Sequence, residues 1–307
     1  MPLQRILWEA GNFIRSIGER SNRVDRGGIL AFWCYEINAC IGRLICVVHT
    51  RCGSAKDNDV LANASELCRP FVRETRAFKS LHFSLSEMQS QMLKQAPHTL
   101  LADYTRTMMG FLIFDSQPDR VAMIGLGGGS LAKLCYRELP HARIDVVEID
   151  PHVIALRDEF HVPPNDERFQ VHLDDGARFV GQSSNAFDVL LVDAYTRDGI
   201  PSRLASLEFY NDCRNALTAH GIMVLNLYCD DADTHIDHIR QSFSGPVFIV
   251  DEMDDTNRVV FACVGNANRW RQTTPIRPPT HLRRSASSLL KPAFSRIASA
   301  MRAQCSA

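Results

Sequence analysis

Apolar and polar positions change rhythm several times along this chain. Residues 1–75 hold no sustained period, and the one long apolar stretch, Ile29 to Val48, is broken by Glu36 and Arg43. A span of about 20 residues with two central charges makes a poor membrane crossing, and it begins too far in for a secretion signal. From residue 76 to 115 the pattern sharpens. KSLHFSL alternates as a strand does, MQSQMLKQAPH reads as a loop or second strand, and YTRTMMGFLIF predicts a helix that buries Met108, Met109, Leu112 and Ile113.

Residues 116–265 alternate short apolar runs with helical patterns. RVAMIG is a buried strand ending in glycine, and SLAKLCYREL is a helix with Ser130 as its N-cap. RIDVVEID and PHVIALRDEF repeat the pair, with Pro151 at a favoured first helical position. FQVHLDD, DVLLVDA and GIMVLNL are further strands, with helices at Ala177–Val180, Leu207–Leu217 and Thr234–Phe243, and PVFIVDE with RVVFACVG closes the set as an antiparallel pair. Such alternation predicts an α/β domain whose mostly parallel sheet is covered on both faces. Ligands of such sheets sit beyond the carboxyl ends of the strands, where the strand order reverses. Residues 266–307, rich in Pro, Arg and Ser, read as a basic, flexible tail.

Charge sharpens this picture a little. No acidic residue follows Asp255, while nine of the 34 basic residues lie between Arg258 and Arg302. The rest of the chain is then about ten charges negative, which suits a cationic small molecule better than a nucleic acid. The tail has no block of five like charges, so neither nucleic acid nor membrane is an expected partner. Among ten cysteines there is no CxxC pair, and no His/Cys cluster has zinc-ligand spacing. No metal is expected, and free thiols point to the cytoplasm. His141, His152, His161 and His172 share no face and no carboxylate partner at fixed spacing, so they read as solvated or capping.

The candidate chemistry lies at the strand ends. Gly125, Gly127 and Gly128 with Ser130 form a glycine-rich turn between strand and helix, where backbone can approach a ligand and N–H groups are unpaired. Glu148 ends the next strand, 23 residues after Gly125, where a carboxylate can accept both ribose hydroxyls of a nucleoside. Asp174 and Asp175 end the third strand, placed for an adenine amino group, and Asp193 ends the fourth, facing the same crevice. Three successive strands ending in carboxylates exceed what a nicotinamide site requires.

The blocks VAMIGLGGGS, IDVVEIDPHVI, DERFQVHLDDGARFV, FDVLLVDAY and SLEFYNDCRNALTAHGIMVLNL resemble, in order and over about 110 residues, the spermidine/spermine synthase family. The resemblance implies a Rossmann-like class I methyltransferase fold behind a small N-terminal β element, and aminopropyl transfer from decarboxylated S-adenosylmethionine to a polyamine such as putrescine. The family is commonly dimeric, so a homodimer is implied too. By resemblance Gln89 and Tyr104 line the substrate pocket, Glu148 binds ribose, Asp174 and Asp175 mark the adenine end, and Asp193 is the base beside the attacking amine. Tyr195 and Asp198, on the loop after Asp193, are further substrate-side candidates. Four positions depart from the family. Ser130 stands where an Asp binds the aminopropyl amine, Thr105-Arg106 replaces His-Glu, and Thr196 replaces a second Asp. These changes leave two alternatives, a methyltransferase using intact S-adenosylmethionine or a non-catalytic nucleoside-binding homologue.

Overall fold

The computed structural model describes residues 69–85, 88–196, 199–252, 257–265 and 278–305. All fall within one unit of the chain, Ala62–Ala307. The stretch Ile29–Val48, most of the 1–75 segment and Asp198 lie outside the described residues.

A small antiparallel sheet comes first, formed by β1 (Phe71–Glu74), β2 (Phe78–His82) and β3 (Met88–Leu93). β1 falls inside the segment where the sequence showed no period, because four residues are too few to display alternation. It is held by pairing with β2, Phe71 opposite His82 and Glu74 opposite Lys79. MQSQML settles as a strand, because β2 offers it a partner edge. Then comes α1 (Asp103–Met108), which tightens into a 3₁₀ turn over Met109–Ile113.

The main sheet has seven strands: β4 (Arg120–Ile124), β5 (Arg143–Glu148), β6 (Phe169–Leu173), β7 (Phe187–Val192), β8 (Leu217–Leu227), β9 (Val247–Asp251) and β10 (Arg258–Cys263). Their order is β6-β5-β4-β7-β8-β10-β9, parallel except for β10, which runs antiparallel to both neighbours. Helices α2 (Ser130–Glu138), α3 (Pro151–Ala155), α4 (Gly176–Gly181), α5 (Leu207–Ala216) and α6 (Ala232–Ser242) make the crossovers. The order reverses between β4 and β7, so the ligand crevice opens beyond Ile124 and Val192.

Two-residue alternation builds a core on each face of this sheet. Val121, Met123, Val189, Leu191, Ile222 and Val224 pack on one side. Ala122, Ile124, Leu190, Val192, Met223 and Leu225 pack on the other, against α5 and α6. No helix among the described residues is long and apolar enough to cross a membrane.

The largest difference from expectation is at the carboxyl end. Residues 284–305, read from composition as part of a flexible tail, form α7 (Arg284–Cys305), with Pro292 inside it. Leu290, Phe294 and Ile297 are fully buried in the first core. Its close approach explains Gly110: a Cβ there would lie 2.3 Å from Ile297 Cδ1 and 2.9 Å from the Phe261 ring. An ion pair adds to this, since Arg296 donates to the buried Glu252 carboxylate and to the Thr107 hydroxyl of α1, both at 3.0 Å. Ile297→Ala is therefore expected to cost about 2–5 kcal/mol, the range for truncating a buried aliphatic side chain. A denaturant midpoint unchanged from wild type would mean that α7 contributes nothing to the core.

Candidate active site

The site is built at the strand-order reversal. Gly125 continues β4 by donating its N–H to Val147 O at 2.8 Å, and Asp193 continues β7 by donating to Ile124 O at 2.9 Å. The two residues thus lie side by side. Gly125 has φ +95°, and a Cβ there would sit 2.1 Å from Asp193 O, so only glycine is admitted. Gly127 borders open space, and Gly128 meets Ser90 of β3, where a Cβ would fall 2.5 Å from Oγ. The small sheet therefore packs directly on the glycine turn. Ser130 does not cap α2 as expected. It is the first helical residue, and Gly129, at φ +64°, takes the cap position because its left-handed backbone turns the chain into the helix.

Glu148, 9% exposed, is more engaged than a bare strand end. Its Oε2 accepts the Leu126 N–H at 2.9 Å and its Oε1 accepts the Asp150 N–H at 3.0 Å. The carboxylate thereby ties the glycine turn to the end of β5. A carboxylate has about four lone-pair sites, so two remain for a ligand. Beside it, Ile149 and Leu173 are each 59% exposed at neighbouring strand ends. Sequence reading passed over both. Large aliphatic side chains left open to water next to a polar crevice are the signal that finds them.

The two aspartates after β6 divide their work. Asp174 Oδ1 accepts from Asp175 N at 2.6 Å and from Arg178 Nε at 2.7 Å. Asp175 is the N-cap of α4, accepting the Arg178 N–H at 2.9 Å, and its Oδ2 pairs with Arg203 at 2.8 Å. Both oxygens of Asp175 thus serve the loop and helix, whereas the contacts of Asp174 all fall on Oδ1.

Asp193 lies at the centre. Its Oδ2 accepts from the Tyr104 hydroxyl at 3.2 Å, and its Oδ1 from Asn226 Nδ2 at 2.9 Å. The Asn226 amide is itself oriented, its Oδ1 accepting from Asn257 Nδ2 at 2.9 Å. Burial raises the Asp193 carboxyl above the usual range, and the Asn226 and Tyr104 hydrogen bonds partly counter this. Burial and the nearby Asp193 also hold the Tyr104 phenol well above its ordinary value, so it remains a donor. Asn226 was missed in the sequence, although an amide in the apolar run GIMVLNL must find partners when buried.

Tyr195 donates its hydroxyl to Asn226 O at 2.8 Å and accepts the Tyr228 N–H at 2.6 Å, so it fastens the end of β8. Alternation along β3 turns Gln89 to the face opposite Ser90, and no hydrogen bond joins it to Tyr104 or Asp193. Arg106, one of the family departures, turns away from the crevice. Its guanidinium binds Leu100 O at 2.8 Å, Leu101 O at 3.1 Å and Asp103 at 2.6 Å. Thr105 is buried and donates to Ala102 O at 2.6 Å.

The family model for the spermine/spermidine synthase domain matches residues 101–244. A polyamine aminopropyltransferase of Neisseria meningitidis is 35% identical over 195 residues, spanning 62% of this chain and 74% of that protein. One from Chromobacterium violaceum is 32% identical over 221 residues, 71% of this chain and 82% of that one. In fold, the chain is similar to a probable spermidine synthase from Corynebacterium glutamicum, with a TM-score of 0.57 at 18% identity over 67% of this chain and 82% of that one. The chain belongs to the spermine/spermidine synthase family.

Proposed function

We propose that this protein transfers an aminopropyl group from decarboxylated S-adenosylmethionine to a polyamine such as putrescine, releasing methylthioadenosine. The observation that carries this reading is Asp193, sunk at the strand-order reversal between two fixed donors, Tyr104 and Asn226. Glu148 holds the ribose with its two unused lone-pair sites, Ile149 and Leu173 flank the adenine, and Asp174 accepts from its amino group. The sulfonium already activates the adjacent carbon, so the protein's task is alignment and deprotonation. A primary alkylamine has a pKa near 10.4 by analogy with lysine and arrives as the ammonium. Asp193 takes one proton from it, and raised basicity in a buried carboxylate favours that transfer. The freed nitrogen lone pair then forms the new C–N bond. The C–S bond breaks with its electron pair on sulfur, leaving a neutral thioether and a secondary ammonium.

Incubation with putrescine and either sulfonium nucleoside, followed by mass spectrometry, tests the reading. Spermidine plus methylthioadenosine is expected from the decarboxylated form. A methylated amine plus S-adenosylhomocysteine from the intact form would establish the methyltransferase reading instead. That second reading draws on Ser130, which removes an acid from the family's aminopropyl-binding position. At a separation of about 4 Å and an effective dielectric near 20, such a charge pair is worth about 4 kcal/mol before desolvation. Ser130→Asp is therefore expected to shift binding preference toward the decarboxylated nucleoside by at least about tenfold, read by calorimetry with both forms. A wild type that already prefers that form strongly would refute the idea that Ser130 loosens the choice.

A further inference from the structure

A second cluster of ligating side chains stands where β8 turns into α6. Cys229, Asp231 and His235 each offer one ligand-type atom, and these atoms all lie within 4.8 Å of one another. Asp231 occupies the N-cap position of α6, yet its side chain makes no capping hydrogen bond. An N-cap aspartate ordinarily accepts from the first turn of its helix. Here Oδ1 lies instead 3.7 Å from His235 Nε2. His235 is 2% exposed, and its other ring nitrogen, Nδ1, is held 2.6 Å from the hydroxyl of the fully buried Tyr210. That contact fixes the ring and presents Nε2 to the cluster. An outer partner on the far nitrogen is what metal-binding histidines almost always have.

We propose that Cys229, Asp231 and His235 form a zinc(II) site of three protein ligands and one water. Zinc bonds of about 2.0–2.3 Å to nitrogen, oxygen and sulfur at tetrahedral angles set ligand atoms about 3.3–3.6 Å apart. The His235–Asp231 separation of 3.7 Å is close to that already. One thiolate, one carboxylate and one neutral imidazole balance the ion's two charges. A soft sulfur beside an imidazole selects zinc or cobalt over magnesium and calcium. The Asp231 side chain is 67% exposed, so the fourth position opens to solvent. Binding releases the Cys229 thiol proton to the medium. The site stands independently of the proposed reaction.

Untagged full-length protein is titrated with zinc against a chromophoric chelator, and separately with cobalt(II), whose thiolate charge-transfer absorption reports a cobalt–sulfur bond. One equivalent is expected, with the cobalt band present. Cys229→Ser should abolish the band, and Asp231→Asn should weaken zinc by at least about tenfold. Tyr210→Phe, which only frees the imidazole, should weaken it about 10–100-fold. Thermal melts of the metal-free variants identify any that fail to fold. The proposal is overturned if the wild type takes up no stoichiometric zinc, or if folded Cys229→Ser binds it equally with the cobalt band intact.

Discussion

Asp193→Asn is expected to lower turnover on the order of 10²–10⁴-fold, the usual range for losing a general base, while leaving affinity for adenosyl ligands unchanged. The replacement is isosteric and its surroundings accommodate it. Asn226 stays oriented by Asn257 and still donates to the new amide oxygen, while Tyr104 turns its hydroxyl to accept from the new NH₂. Stability separates this role from a structural one. Burial raises the Asp193 carboxyl, so between the unfolded and folded pKa values the native state binds more protons than the unfolded one. Native stability therefore falls as pH rises through that window and stays lowered above it. Asparagine removes this penalty, so the variant should melt no lower than wild type at neutral pH. The wild-type kcat/KM should rise with pH through the raised carboxyl pKa, and the variant should lack that limb. Losses of binding and rate in equal measure would make Asp193 a nucleoside-positioning group instead.

The parallel sheet was legible because its signal is local and repeated. The central residues of RVAMIG and DVLLVDA, Val121–Ile124 and Val189–Val192, are all apolar, as strands covered on both faces must be, and each run reaches a glycine or a carboxylate at the crevice. Asp193 and Gly125 could be placed together because strands of one parallel sheet end at the same edge. α7 was not legible, though its spacing was present in Leu290, Phe294, Ile297 and Met301. Pro292 and the basic, serine-rich flanks masked that stripe, and composition outweighed periodicity. Side-chain direction was harder still. Arg106 reads as a cation beside the substrate until its guanidinium is seen closing on Leu100 and Leu101. The Tyr195 hydroxyl lies between two backbone groups of the β8 end, a placement that its position on the loop after Asp193 does not reveal. The proximity of Cys229, Asp231 and His235 does not show in cysteine and histidine spacing, because one member is an aspartate. Hydrogen-bond geometry, not residue type, fixes where Arg106 and Tyr195 point.

Glu148→Ala should cost at least about a hundredfold in affinity for adenosyl ligands. Two charge-assisted hydrogen bonds to ribose are each worth about 1.5–3 kcal/mol, and about 1.4 kcal/mol is a factor of ten. The same substitution also strips Leu126 N and Asp150 N of their acceptor. A loosened glycine turn would weaken binding by itself, so a bare loss of affinity does not show that Glu148 touches ribose. A double cycle resolves this. Methylthioadenosine and its 2′-deoxy analogue are each measured against wild type and variant by calorimetry. If Glu148 holds the hydroxyls, deleting the 2′-OH weakens binding to wild type and hardly affects the variant, which has already lost the acceptor. If Glu148 acts only through the turn, the deletion costs the same in both proteins. Coupling near zero would therefore remove Glu148 from the ligand and leave it as the clasp of the glycine loop.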